Sequence, residues 1–269
     1  MKTIAICNQK GGVGKSTTTF HLTRTAILAG SKVLVVDCDP QGNLTSALTP
    51  DLLAEDAIGL ADALSTRTPQ NLPEVITHTI WEGADLVPTV GDALGVVRDE
   101  ILLSRIGGEN RLRKTLDSVR DQYDLCLIDC PPSLDSLLIN ALVAASTALI
   151  VTHSKQWSTN GLASLLETMN AVRETQNPGL ELAGVLINQH EARTRAGTYW
   201  LDALRAASTQ GGFKILQPPI PKRAVISDCV ECGSGLDQWA ANTADLQEKY
   251  REIYQQVKGE NHESRAQAI

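Results

Sequence analysis

The chain has 269 residues, room for one large domain and at most two. A composition of 42% hydrophobic and 20% charged residues excludes a disordered chain or a coiled coil, and with aromatics at only 4% the core has to be aliphatic. Thirty-one acidic residues against 24 basic ones give a formal charge of -7; this excludes a surface coated in basic charge for nucleic acid but allows a local basic patch, because binding follows the local field.

Short, continuously apolar runs alternate with longer helical stretches along the chain. The pattern predicts strands at residues 3–7, 32–36, 85–88, 125–129, 147–152, 181–187 and 213–216. Continuous rather than alternating apolar character is that of strands covered on both faces. Helices are predicted over 16–29, closed by Gly30 as C-cap, and over 111–120, 136–145, 158–175, 197–207 and 242–257. The segment 49–82, rich in Pro, Thr and Asp, reads as loops with one short helix around 60–64. Residues 259–269 form a polar tail expected to be disordered. This alternation specifies an α/β fold over residues 1–258: a single domain with a mainly parallel twisted sheet flanked by helices, a Rossmann-like three-layer sandwich.

The six cysteines are Cys7, Cys38, Cys126, Cys130, Cys229 and Cys232. The first four sit in or beside apolar runs, where a free cysteine packs as a small hydrophobe. So few for the length, with no secretory signal, they point to a reducing, cytoplasmic location. The longest apolar stretch, near 141–151, is interrupted by Ser146 and Thr147. It falls short of the ~20 residues that a membrane span needs.

The most informative segment is Lys10-Gly11-Gly12-Val13-Gly14-Lys15-Ser16-Thr17, between the first strand and the first helix. It is near the phosphate-loop pattern G-x-x-x-x-G-K-[ST], with Gln9 where that pattern has its first glycine. Gly11, Gly12 and Gly14 let the backbone curl with its N–H groups inward, and the helix N-terminus adds its dipole. Lys15 is placed to reach the β- and γ-phosphates and the Ser16 hydroxyl to ligate Mg²⁺. The bland alternative is a glycine-rich strand-to-helix turn; strand, loop, Lys-Ser and helix in sequence argue against it.

Two further segments stand in order behind this loop: Val33-Leu-Val-Val-Asp-Cys-Asp-Pro-Gln-Gly-Asn-Leu-Thr45 and Tyr123-Asp-Leu-Cys-Leu-Ile-Asp-Cys-Pro-Pro-Ser133. With KGGVGKST, they make the chain resemble the ParA/MinD family of P-loop ATPases with a deviant Walker A loop. The run Asp39–Asn43 resembles the ParA/Soj partition branch in particular, and weaker likeness continues to about Gly233. The resemblance implies a P-loop NTPase fold, ATP and Mg²⁺ as cofactors, and hydrolysis of ATP to ADP and phosphate. It implies that Lys10 reaches across a dimer interface to the partner's nucleotide. It implies that Asp39 positions the attacking water, that Asp37 supports the Mg²⁺ shell and that Asp129 holds Mg²⁺ through water. Asp37 and Asp39, two apart at a strand end, are expected to point the same way with Cys38 opposite. On the residues alone, Lys10 could be a solvated charge, either aspartate a cap of the following turn, and Asp129 a turn former before Pro131.

By the same resemblance, the adenine pocket is built from Asn188 and the Ile220-Pro221-Lys222-Arg223 segment. The family there has Ile-Pro-Arg-Asn, so an asparagine is replaced by Arg223, and Pro221 with backbone groups is left to hold the base. The family's Glu-Ala-Pro-Ser-His-Gly is replaced by Asp228-Cys-Val-Glu-Cys-Gly233. The C-x-x-C pair there opens an alternative, an iron–sulfur cluster carrier ATPase of the same superfamily. The other reading is two incidental loop cysteines.

The partition branch implies non-specific DNA on the nucleoid as matrix, an ATP-bound homodimer, and a centromere-binding ParB-type partner that stimulates hydrolysis. The cargo would be a plasmid or chromosome, or, alternatively, another object. From His190 to Arg223 the stretch is net +4, with Arg193, Arg195, Arg205, Lys214, Lys222 and Arg223 against Glu191 and Asp202. Such a patch suits phosphate-backbone contact, and the role of a family arginine that here is Val225 would pass to Lys222 or Arg223, or to Lys249 and Arg251. A solvated face is the bland reading. The C-terminal segment lacks an apolar face of useful width, so no membrane anchor is expected. The first strand begins almost at Met1, so neither a preceding helix-turn-helix reader nor sequence-specific autorepression is expected.

Overall fold

Lys2–Cys7 forms the first strand, β1, and its buried side chains alternate between two cores: Ile4 and Ile6 face one, Ala5 and Cys7 the other. The same division runs through the neighbouring strands, which is why their apolar runs are continuous. The computed structural model describes residues 1–259 other than 55, 68, 105, 154–158 and 240–241. After β1 come α1 (Lys15–Leu28), β2 (Val33–Asp37), α2 (Asn43–Leu48), α3 (Leu60–Leu64), α4 (Leu72–Val75) and β3 (Thr77–His78). Next are β4 (Ala84–Val87), α5 (Ala93–Leu103), α6 (Arg111–Asp117), β5 (Leu125–Asp129) and α7 (Ser136–Ala144). The chain continues with β6 (Thr147–His153), α8 (Thr159–Thr175), β7 (Glu181–Asn188), α9 (Arg195–Gly211), α10 (Ala224–Glu231) and α11 (Ala244–Lys258).

The seven strands are ordered β3-β4-β2-β5-β1-β6-β7, parallel except for the antiparallel β3–β4 pair. Helices α1, α2, α10 and α11 bury their apolar sides on the core that holds Ile4, Ile6, Val33, Val35 and Leu127. Residues of α3 to α9 pack in the core on the opposite face. The parallel register aligns the strand ends: Ile6 and Asp37 both pair with Asp129, Cys7 with Ile150, and His153 with Asn188. Every segment leaving this edge is therefore delivered to one end of the sheet, where open α/β sheets bind ligands.

Three sequence expectations are corrected. Residues 213–216 are not a strand. Val185 donates to Lys214 O at 2.8 Å and accepts from Leu216 N at 2.9 Å, an isolated bridge, and Pro218 and Pro219 beyond it have no N–H to continue a ladder. The seventh strand is instead the two-residue β3. The expected helix over 111–120 ends at Asp117 and passes into a 3₁₀ turn at Arg120–Gln122. Cys229 and Cys232 lie on and at the end of α10 rather than in a loop. Residue 158 and the tail 260–269 lie outside the described residues.

Candidate functional site

The loop from Asn8 to Gly14 turns from the middle of the sheet into α1. Asn8 sets its start: Nδ2 donates to Val151 O on the neighbouring strand at 2.7 Å, and Oδ1 accepts from Lys10 N at 2.9 Å. Gly14 is the N-cap of α1 at φ +89°, a left-handed conformation that glycine adopts without strain. A Cβ there would lie 2.1 Å from Asn188 Nδ2, so the loop is docked directly onto the end of β7. Lys15 is 5% exposed and its Nζ reaches back to Lys10 O at 3.5 Å, across the mouth of the loop. Lys10, Gly11 and Gly12 are exposed on the rim, Val13 is buried, and Ser16 and Thr17 are half-buried.

Two carboxyls lie fully buried beneath the loop, Asp37 and Asp129, opposite one another on adjacent strands. Asp37 is tied to protein donors on both oxygens: Oδ2 accepts from Thr45 N and Oγ1, each at 2.7 Å, and Oδ1 from Asp39 N at 3.2 Å. Thr89 completes the knot, its N–H donating to Thr45 Oγ1 and its hydroxyl to Asp37 O. Burial pushes the Asp37 carboxyl up to about 6 against the pull of the Thr45 bonds. Asp129 Oδ1 accepts a long hydrogen bond, 3.5 Å, from Thr19 Oγ1, and the nearby Ser16 side chain favours its ionised form. Its Oδ2 has no hydrogen-bond partner. Burial, reinforced by Asp37, pushes the Asp129 carboxyl well above the ordinary carboxylate range. A buried oxygen without a donor is costly. The donor-free Asp129 oxygen and the Ser16 hydroxyl are hard oxygen ligands that fit a divalent cation, which would restore the ionised state of Asp129.

Asp39 lies past the end of β2, so strand alternation does not place it; the expectation that it ends the strand beside Asp37 is corrected. It sits in a turn instead, with Oδ1 accepting from Gln41 N at 3.0 Å and its carbonyl from Gly42 N, and it is 7% exposed. Asp37 takes the anchoring role by holding the first turn of α2.

Beside the loop opens a cavity of about 510 Å³ lined by Thr17, Asn188, Gln189, Pro221, Lys222 and Arg223. Thus Asn188, Pro221 and Arg223 are brought together as expected. Both polar atoms of the Asn188 amide are engaged by protein, Nδ2 with Val13 O at 3.0 Å and Oδ1 with Gln189 N at 2.9 Å. Arg223 is drawn to Asp245 at 2.9 Å, and Lys222 to Glu191 at 3.2 Å. Arg251 pairs with Glu248 and Arg205 with Asp202. Arg193 and Arg195 stand exposed at the start of α9, and Lys249 on α11 is half-buried.

Of the C-x-x-C pair, Cys229 is buried, which pushes its thiol up to about 11, while Cys232 is exposed. The two thiols are not presented on one surface, which weakens the cluster-carrier reading. Among the described residues no group of three or more His, Cys, Asp or Glu side chains is arranged to hold a metal, and no helix is long and apolar enough to cross a membrane. Sequence reasoning missed Thr45, Thr89, Gln189 and Glu191. Thr45 closes the second motif and carried a signal, whereas the others reach the site only through tertiary contacts.

The AAA domain family profile matches residues 1–182. The sporulation initiation inhibitor protein Soj of Bacillus subtilis (strain 168) is 34% identical over 242 residues, which is 86% of this chain and 88% of Soj. The chromosome partitioning protein ParA of Caulobacter vibrioides (strain NA1000 / CB15N) is 33% identical over 236 residues, 87% of this chain and 85% of ParA. Among solved structures, the cobyrinic acid a,c-diamide synthase of Mycobacterium smegmatis with bound ATP analog and magnesium matches with a TM-score of 0.78 at 28% identity, covering 94% of this chain and 93% of that one.

Proposed function

The chain belongs to the AAA domain family and, through Soj and ParA, to the partitioning ATPases, and on that premise we propose that it is an ATP-hydrolysing DNA-partitioning protein. The observation that carries this reading is the convergence, at one end of the sheet, of the phosphate loop, a buried Lys15 and two buried carboxyls, one of them with an oxygen lacking a donor. Phosphoryl transfer is mainly positioning and charge stabilisation, and this site supplies both. The loop amides and Lys15 hold the triphosphate and offset the charge that develops on the leaving oxygen. Ser16 and Asp129 would hold Mg²⁺, which when bound would supply further charge neutralisation at the phosphates. Asp39 orients the attacking water. Asp37 keeps that turn and α2 in register beneath it.

Lys10, on the exposed rim, bridges to the nucleotide of a second copy, so ATP favours the dimer and hydrolysis removes that preference. The dimer binds DNA without sequence preference, through Arg193 and Arg195 foremost, and is nucleoid-associated. A ParB-type partner on the cargo stimulates hydrolysis and releases it.

The test is turnover and assembly. Wild type with Mg²⁺ and ATP should hydrolyse slowly and form dimers by light scattering. Lys15→Ala should lose nucleotide binding by at least about a hundredfold, about 2.7 kcal/mol or more of charge-assisted contact. Lys10→Ala should bind ATP within about twofold of wild type yet stay monomeric. Tight ATP binding by Lys15→Ala, or ATP-dependent dimers of Lys10→Ala, would remove those assignments.

A further inference from the structure

Two consecutive residues at the end of β7 grip the phosphate loop from behind. Asn188 Nδ2 donates to Val13 O at 3.0 Å, and Gln189 Nε2 donates to Gly12 O at 3.3 Å. In a trans peptide the C=O and N–H of one plane point in opposite directions. The N–H in the plane of the Gly12 carbonyl belongs to Val13, and the one in the plane of the Val13 carbonyl belongs to Gly14. Fixing those two carbonyls toward β7 therefore turns the Val13 and Gly14 amides the other way, into the concavity of the loop.

The grip is built into the backbone. Gln189 has φ +51°, the only non-glycine residue with positive φ among those described. Non-glycine residues adopt this conformation rarely and keep it where surrounding contacts enforce it. Here Gln189 N donates to Asn188 Oδ1 at 2.9 Å, and the next residue is pinned by His190 N to Ile220 O at 2.9 Å and Lys222 N to His190 O at 3.1 Å. The closeness of the docking is set by Gly14, where no Cβ fits beside Asn188.

We propose that Asn188 and Gln189 are positioning residues that preorganise two phosphate-binding amides, and that their side chains do not select the base. The inference rests on the nucleotide-site reading above. Asn188, expected from the sequence to read adenine, acts on the phosphates through the loop, and base preference is left to Pro221 and backbone groups lining the cavity. Preorganised donors cost no rearrangement when the charge arrives.

The test compares Gln189→Met, Gln189→Glu and Asn188→Asp with wild type, by competition of Mg·ATP and Mg·GTP against a fluorescent ATP analogue, with thermal unfolding alongside. Gln189→Met keeps the length and loses the donor; Gln189→Glu and Asn188→Asp keep the shape and set an acceptor against a carbonyl. The expected result is that Gln189→Met weakens ATP and GTP by the same factor, about five- to tenfold, with the two acidic variants weaker still. The ATP-to-GTP ratio stays that of wild type, a readout that a role in the fold or in base recognition would not leave in this pattern. Binding of ATP within twofold of wild type by Gln189→Met and Asn188→Asp would overturn the inference. So would a loss confined to ATP, which would make these residues base readers. A wild type that fails to bind Mg·ATP would instead bring down the nucleotide-site reading, and this inference with it.

Discussion

At Gly14 a single hydrogen in place of a side chain lets the loop dock on β7. The residue is at φ +89°, and an added Cβ would meet Asn188 Nδ2 at 2.1 Å. Gly14→Ala therefore carries two penalties, a left-handed alanine and a displaced loop, together about 2 kcal/mol. The fold should survive with a melting temperature about 5 °C lower, while nucleotide affinity falls by at least about tenfold because the Asn188 and Gln189 bonds cannot both persist. A calorimetric titration of the variant checks this, and affinity equal to wild type would show that the docking is not needed. Lys15 and Ser16 were marked in the sequence by one short motif, and Asp37 and Asp129 by their places at the ends of apolar runs in two further motifs; the structure delivers all four to one end of the sheet. Gln189 was not, since its role depends on a backbone angle and on a contact 177 residues away along the chain. Asp39 was read in the right motif with the wrong geometry, because strand alternation ends at Asp37 and the turn that follows has its own hydrogen bonds.

Helix α1 links the phosphate loop to the C-terminal helices, and His21 is its buried contact. The ring is 2% exposed, its Nε2 lies 2.9 Å from Ile226 O, and it packs on Tyr250 of α11. Burial pulls its pKa down to about 4, against the bond to Ile226 O. Between pH 6.5 and about 4 the unfolded chain therefore binds a proton that the folded chain does not. The stability held by neutral His21 is intact above pH 6.5 and is lost as pH falls toward 4, on the order of 3 kcal/mol. Asp37 runs the other way: raised to about 6, its contribution is present below the ordinary carboxylate value and is lost as pH rises through about 6. The two slopes oppose, so the difference between wild type and His21→Gln isolates the histidine. Chemical unfolding at pH 7, 5 and 4 should show wild type losing stability relative to the variant, whereas parallel curves would place His21 in water. At this scale apolar continuity marks the parallel strands, and α1, α8, α9 and α11 were read as helices, whereas the 11-residue α5 was not expected. The six-residue α2 and four-residue α4 are too short to show a period. The buried pair Ile226 and Cys229 in α10 was hidden by attention to the cysteines as a motif.

Across the whole molecule, net charge and local charge pull in different directions. The chain is -7, and the +4 stretch from His190 to Arg223 is partly neutralised in the fold: Arg205 is paired with Asp202, Lys222 with Glu191, and Arg223 with Asp245. Exposed pairs of this kind contribute little to stability but lower the charge available to a phosphate backbone. Arg193 and Arg195 at the start of α9 remain as the centre of the proposed DNA surface. Replacing both with alanine should weaken DNA binding alike for all sequences and flatten its salt dependence by about two phosphate contacts per subunit. Arg251→Ala, already paired with Glu248, should change it little. The central claim is tested most directly by binding to random-sequence duplex DNA with ATP, with ADP and without nucleotide, across a salt series. The account predicts tight binding with ATP alone, falling steeply as salt rises. Binding that is absent with ATP, or equal in all three states, would contradict it.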